Sequence, residues 1–332
     1  MSNDVIKKKS QGMKKFLQEF DIRNDVEFGQ LQHAYTYLKN MNLYIYKMRE
    51  TLSQAFPQVE KGVRPSRECS EEVEALVDMG VRHSNAICKK VETNGYHAKV
   101  MRLEDAEKIF RLDNDLNMPN LPKTVIPYEK ARRAIIKNPD RILLIECACR
   151  NSRGEKGCYP REVCMLMGEP WVTWGLENMQ DSNPRLISQA EALEIIRAQH
   201  EAGNVQCAFF KDACGDRLYG ICNCCTCCCV AMAAYNYADV PIFASSGYVR
   251  QTDTEKCMGC GDCVQACPVH ACELVDSKTV IVSADKCVGC GVCAGKCSVN
   301  AIHMILDNPA VCQPFDVDEL IPVYNKPITE KV

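Results

Sequence analysis

Eight cysteines near the end of the chain follow one spacing twice, and this repeat restricts the possible fold more than any other feature. The two runs are Cys257, Cys260, Cys263 and Cys267, then Cys287, Cys290, Cys293 and Cys297. Three thiolates separated by two residues each can bind three irons of a cubane, and a distant cysteine supplies the fourth ligand. Glycines at 259, 261, 289 and 291 let backbone N–H groups approach the cluster sulfurs. The repeat therefore predicts a small duplicated unit built around metal–sulfur clusters.

The segment from about 249 to 312 resembles the bacterial ferredoxins that carry two 4Fe–4S clusters. The resemblance implies crossed ligand sets, in which each run receives its fourth ligand from the other. One cluster would take Cys257, Cys260, Cys263 and Cys297, and the other Cys287, Cys290, Cys293 and Cys267. One departure is Ser298, which stands where the family has proline. Zinc is the weaker alternative, because zinc sites favour separate cysteine pairs.

A second concentration of cysteines lies upstream and includes the stretch ICNCCTCCC at 221–229. The candidate ligands of one or two further iron–sulfur clusters are Cys147, Cys149, Cys158, Cys164, Cys222, Cys224, Cys225, Cys227, Cys228 and Cys229. We expect the first four to form one group, because the loop after CACR (147–150) can fold back and bring Cys158 to Cys147 and Cys149. Cys222, Cys225 and Cys228 are three residues apart, the same spacing as in the repeated runs, which suggests a second group. A structural zinc site and metal-free redox thiols are the alternatives.

Composition favours metal chemistry over disulfides for these thiols. Of the 24 cysteines, only Cys69 and Cys88 precede residue 147. No apolar segment follows the lysines of MSNDVIKKKS, and no apolar run reaches the ~18–20 residues that span a bilayer. We therefore expect neither a signal peptide nor a transmembrane segment, and a cytoplasmic protein with reduced thiols. The net charge of −3 gives no sign of nucleic-acid binding.

Hydrophobic periodicity predicts an α+β chain in four parts. Residues 1–128 form a helical domain, 129–248 a mixed α/β cysteine-rich domain, 249–312 the ferredoxin-like domain, and 313–332 a tail. In the middle part we predict a helix from Tyr128 to Lys137 and strands at 141–146, 205–210 and 217–221. A helix capped by Ser188 and a helix at 229–238 complete this part.

The chain from about 96 to 300 also resembles a family of ferredoxin-type binding proteins of anaerobes. The resemblance rests on VIPYEKAR (125–132), CACR (147–150), CYPREVCMLMGEP (158–170), FFKDA (209–213), YGICNCCTCCC (219–229) and SSGYV (245–249). It implies cluster binding and no particular reaction.

Functional expectations follow from what the chain holds and what it lacks. It has neither a dinucleotide-binding glycine motif nor a phosphate-binding loop, so electrons should pass singly to or from protein redox partners. The first hypothesis is an electron carrier whose middle site is a further relay cluster. The second is an iron–sulfur reductase that binds substrate at the middle site, and the third is cluster delivery or assembly. The sequence indicates no oligomeric state.

Overall fold

The computed structural model describes residue 18 and residues 33–89, 95–275 and 279–325. Its helices are α1 Met41–Ala55, α2 Glu71–Lys89, α3 Leu103–Phe110, α4 Ala148–Asn151, α5 Trp171–Asn178, α6 Gln189–Glu201, α7 Val230–Ala238, α8 Asp262–Gln265, α9 Val292–Gly295 and α10 Val317–Tyr324. Its strands are β1 Tyr96–Met101, β2 Leu116–Met118, β3 Ala134–Glu146, β4 Glu162–Glu169, β5 Arg185–Ile187, β6 Val205–Lys211, β7 Arg217–Cys224, β8 Phe243–Ala244, β9 Tyr248–Thr252, β10 Cys272–Val275, β11 Thr279–Val282 and β12 Ile302–Leu306. The chain is therefore α+β, as predicted.

A central sheet of eight strands organises the molecule. Its order is β2-β3-β4-β7-β6-β1-β8, and β5 pairs with β3. All its strand pairs are antiparallel except β1 with β8. Alternate residues of a strand face opposite sides of the sheet, so each strand contributes to two cores. In β3, Leu143 faces one core while its neighbours Ile142 and Leu144 face the other.

The two faces of the sheet differ in their chemistry. One core packs against α3 and α6 and is made of aliphatic and aromatic side chains. The other packs against α1, α5 and α7, and it contains buried thiols from β4, β6, β7 and the residue after β3 beside its apolar side chains. The sheet thus concentrates the middle cysteines on a single face.

Several predicted elements are confirmed. The strands at 141–146, 205–210 and 217–221 belong to β3, β6 and β7, and the helix at 229–238 is α7. The Ser188 side chain accepts a hydrogen bond from the Glu191 N–H, as the capping pattern predicts.

Two predictions about the first half are wrong. Residues 1–128 are not helical throughout, because β1 and β2 lie within them. The expected helix from Tyr128 to Lys137 does not form, since β3 begins at Ala134 and pairs with β2 and β4. In both places, pairing with neighbouring strands overrides the local preference. The four-part division itself stays a prediction.

The C-terminal segment consists of one hairpin, a second antiparallel strand pair and two short helices, and it packs on the central sheet. Strand β10 pairs with β11, and β9 pairs with β12. Ser246 donates to the Gly289 carbonyl at 2.7 Å, Asn236 donates to the Pro268 carbonyl, and Lys296 donates to the Glu201 carbonyl. These contacts fix the segment against β8, α7 and α6. Among the described helices, none combines the length and apolarity needed to cross a membrane.

Candidate metal centres

Two pockets in the C-terminal segment separate its eight repeated cysteines into the sets that the resemblance implies. The lining of the first pocket includes Cys257, Cys260, Cys263 and Cys297. The lining of the second includes Cys267, Cys287, Cys290 and Cys293. Each pocket therefore receives three cysteines from one run and one cysteine from the other. The assignment of these residues as ligands stays a prediction, with which this arrangement agrees.

Equivalent hydrogen bonds hold the fourth cysteine of each run. The Cys267 sulfur accepts from the Ala271 N–H, and the Cys297 sulfur accepts from the Ala301 N–H, both at 3.2 Å. The Cys272 thiol, with further backbone N–H groups, lowers the pKa of Cys267 to about 5. Because the thiolate is the metal-binding form, these contacts prepare Cys267 to act as a ligand.

A buried arginine, Arg250, lines both pockets. Its Nε donates to Thr252 at 3.1 Å, and its Nη1 lies 3.3 Å from the Cys272 sulfur. Its Nη2 has no hydrogen-bond acceptor among the described residues. A buried cation requires a nearby negative charge. Thiolate-bound iron–sulfur clusters would supply that charge, so the pockets fit such clusters.

A third group of thiols, here called the outer site, lies beyond the end of the central strand β7. It consists of Cys158, Cys225, Cys227 and Cys228, whose four sulfurs all lie within 4.8 Å of one another. Cys227 is exposed, whereas Cys225 and Cys228 are buried. Hydrogen bonds from the Cys225 and Cys227 thiols lower the pKa of Cys228 to about 4. Four sulfur donors suit a zinc ion or an iron–sulfur cluster.

Two chain segments converge to form the outer site. Strand β7 ends at Cys224, and the following turn is closed by a hydrogen bond from the Cys229 N–H to the Cys225 carbonyl. Cys158 comes from the loop after α4, where Gly157 passes very close to the Arg150 carbonyl. A Cβ at Gly157 would lie 2.2 Å from that oxygen, so the loop needs glycine there.

Two buried arginines stand behind the outer site without a carboxylate partner among the described residues. Arg49 donates to the Ser152 hydroxyl at 2.8 Å and to the Cys228 carbonyl. Arg150 donates to Gln199 at 2.7 Å, and its Nε has no hydrogen-bond partner. Burial lowers the pKa of Arg150, but the charges of nearby thiols, Cys225 first, raise it overall. Two unneutralised buried cations fit an anionic metal–thiolate group here.

A fourth group, here called the inner ring, lies deeper on the same face of the sheet. Its members are Cys147, Cys149, Cys164, Cys222, Cys224 and Cys229. Thiol contacts join them in the order Cys222, Cys164, Cys147, Cys149, Cys229 and Cys224. A hydrogen bond with the Cys149 thiol, together with burial, raises the pKa of Cys147 to about 12. All six line one cavity of about 120 Å³.

The structure groups the middle cysteines differently from the sequence prediction. Cys158 does not join Cys147, Cys149 and Cys164, because its loop carries it to the turn after β7. The expected set of Cys222, Cys225 and Cys228 is also divided. The strand continues to Cys224, so Cys222 and Cys224 face the inner ring, and only the turn residues reach the outer site.

Sequence reasoning missed several residues of these sites. Cys207 is absent from the ten candidate ligands, yet it is fully buried and contacts the Cys224 thiol. Arg49 and Arg250 carry no local motif, and only the folded chain brings them to Cys228 and Cys272. Lys211 likewise reaches the cavity of the inner ring only in the folded chain. Cys272, which lies outside both repeated runs, is buried and contacts Cys267.

Comparisons with known proteins identify the C-terminal segment. Residues 256–301 match the family model described as a 4Fe-4S dicluster domain. Ferredoxin-2 of Desulfomicrobium norvegicum is 50% identical over 34 residues, which cover 10% of this chain and 58% of that protein. The match thus spans a little over half of the ferredoxin. No solved structure matches the chain. The chain therefore contains a C-terminal dicluster ferredoxin domain, and two 4Fe–4S clusters are its expected cofactors.

Proposed function

We propose, from the premise of a C-terminal dicluster ferredoxin domain, that this chain is a multi-cluster iron–sulfur electron-transfer protein. In this proposal the ferredoxin domain exchanges single low-potential electrons with a further iron–sulfur centre in the middle of the chain, at the outer site. The observation that carries it is the approach of the Cys158, Cys225, Cys227 and Cys228 sulfurs to within 4.8 Å of one another. A cluster there would supply a one-electron store.

The residues around the outer site support this role. Arg49 and Arg150 place positive charge beside the sulfurs, which favours the more negative, reduced form of a bound cluster. Exposure of Cys227 gives the site an edge that a partner protein can approach. A protein redox partner and a cytoplasmic location belong to this proposal.

Packing of the ferredoxin domain supports electron exchange within the chain. Cys207, on β6, contacts the Cys224 thiol and interacts electrostatically with Cys290. The Tyr235 hydroxyl of α7 donates to the Lys286 carbonyl, next to Cys287. The second ferredoxin pocket is therefore the one joined most directly to the middle cysteines.

Iron and sulfide analysis of protein purified without air tests the proposal. The double variant Cys158→Ser/Cys228→Ser should lose about four irons per chain, while the reduced ferredoxin clusters keep their EPR signals. Cys214→Ser is the matched control, because Cys214 is buried and belongs to neither thiol group. Zinc at the outer site, or iron content unchanged in the double variant, would contradict the proposal.

A further inference from the structure

The inner ring lines part of a larger cavity that side chains do not fill. Its cavity of about 120 Å³ lies inside an otherwise packed core. An unfilled cavity destabilises a fold in proportion to its volume. Cysteines that served only as small apolar residues would be expected to pack against one another and close such a space. The cavity is therefore better explained by an occupant.

The donor atoms restrict what that occupant can be. Seven thiols line the cavity, six from the inner ring and one from the outer site, and four are enough for a zinc ion. Purely sulfur coordination selects zinc, copper(I) or iron–sulfur clusters, and an enclosed volume with surplus thiols favours the clusters. Cys225 lines the same cavity and belongs to the outer site, so the two groups of thiols are immediate neighbours.

A buried lysine supplies a second, independent observation. The side chain of Lys211 lines the cavity and is almost completely buried. Its Nζ lies 4.7 Å and 4.9 Å from the ring centroids of Tyr37 and Tyr96, and the nearby groups that can carry negative charge are Asp212 and Cys214. Two aromatic faces only partly replace the water that an ammonium loses on burial. An anionic occupant would complete its surroundings.

We propose that the inner ring binds a second inorganic iron–sulfur cluster in the middle of the chain, separate from the outer site, with Lys211 as its buried counter-charge. The proposal uses the same donor chemistry as the proposed function but different residues, so either can fail alone. Cys207 then lies between this cluster and Cys290 of the ferredoxin domain. The cluster in the inner ring would be the first acceptor for an electron that leaves the ferredoxin domain, and the cluster at the outer site would be the second.

The test begins with iron per chain in anaerobically purified protein. We expect about sixteen irons or more, about four for each of two ferredoxin clusters, the outer site and the ring. Cys147→Ser/Cys164→Ser should lose at least about four irons and leave the outer site loaded. If only the outer-site variant, Cys158→Ser/Cys228→Ser, loses iron, the proposed function is supported and this inference is overturned. If only the ring variant loses iron, this inference is supported and the proposed function is overturned.

Two further measurements keep the inference testable if the ring variant does not fold. Anomalous scattering at the iron edge, from crystals of the unmodified protein, should give a peak inside the ring, and its absence there would overturn the inference. Lys211→Met should lower the potential of one cluster that is not a ferredoxin cluster. The matched control is Lys99→Met, since Lys99 is equally buried but lies outside the ring cavity. Equal potentials in both variants would remove the assigned role of Lys211.

Discussion

Arg250 shows how one side chain can influence two clusters, because its guanidinium lines both ferredoxin pockets. A nearby positive charge stabilises the reduced cluster, and N–H donors to sulfur do the same. We expect Arg250→Gln to lower the potentials of both ferredoxin clusters. A charge interaction of ~1–2 kcal/mol corresponds to roughly 40–90 mV for one electron. Redox titration followed by EPR measures the shift. Arg250→Lys keeps the charge and should shift less, so equal shifts would contradict a charge effect.

Gly157 permits the close approach that carries Cys158 to the outer site. A Cβ there would meet the Arg150 carbonyl, so we expect Gly157→Ala to displace the loop and reduce metal content at this site. Gly203→Ala is the control, since its added Cβ meets nothing closer than 3.9 Å and only its left-handed backbone, with φ of 89°, is strained. Iron analysis should separate the two. Full outer-site loading of Gly157→Ala would show that the contact can relax.

Lys99 should give the protein a measurable alkaline dependence of stability. Burial lowers its pKa from 10.5 to about 8, against smaller opposing effects of Cys312 and Asp105. The unfolded chain therefore binds this proton more tightly, so stability should rise as pH increases from about 8 to 10.5, by an amount on the order of 3 kcal/mol. Denaturant unfolding should show this rise weakened in Lys99→Met and unchanged in Lys61→Met. Parallel curves for all three proteins would contradict it.

Local spacing explains which residues could be predicted from the sequence. The ferredoxin cysteines lie close together in the chain, so their pattern alone reveals two runs, and the crossed ligand sets follow from the family resemblance. Arg250 and Lys211 could not be found this way. Strand pairing with distant segments brings Arg250 to Cys272 and Lys211 to the cavity of the inner ring. Cys158 was placed in the wrong group for the same reason, since its partner Cys227 lies 69 residues away.

Among the elements, β6, β7 and α6 are joined by a buried polar relay behind the inner ring. Gln206 lies between His200, at 2.9 Å, and Asn223, at 3.0 Å, and His200 in turn lies beside Gly295 of the ferredoxin domain. Gln206→Leu should leave two buried polar groups unpaired and reduce the free energy of unfolding by ~1–3 kcal/mol. The exposed Gln251→Leu should change it by less than ~0.5 kcal/mol. Similar denaturation midpoints in both variants would contradict a structural role for the relay.

Strand β1 shows why parts of the sheet escaped sequence prediction. Its sequence YHAKVM has no clean alternation, yet five of its six residues are buried. His97 stacks against Phe210 with 5.7 Å between centroids, and Lys99 donates to the Gln313 carbonyl at 2.7 Å. Tertiary partners thus stabilise polar residues inside the core, and these partners cannot be read from the local sequence. By contrast, α7 is short, apolar and capped, and it was predicted correctly.

For the molecule as a whole, metal should act as a stabilising crosslink. The outer-site sulfurs come from two loops that are far apart in sequence, so a bound metal or cluster restricts both. Removing metal with a chelator under anaerobic conditions should lower Tm by at least ~3 °C, as expected for a loss of about 2 kcal/mol or more. The Cys158→Ser/Cys228→Ser variant should show a smaller drop on the same treatment. An unchanged Tm in the unmodified protein would mean that the metal binds without supporting the fold.

The hydrogen bonds from Ser246, Asn236 and Lys296 hold the ferredoxin domain directly against the sheet. A carrier domain on a flexible tether would have to swing, and its transfer rate would fall in a viscous solvent. Here donor and acceptor keep a constant separation. The internal hop should therefore proceed at the same speed in glycerol as in water, and only the encounter with an external protein should slow.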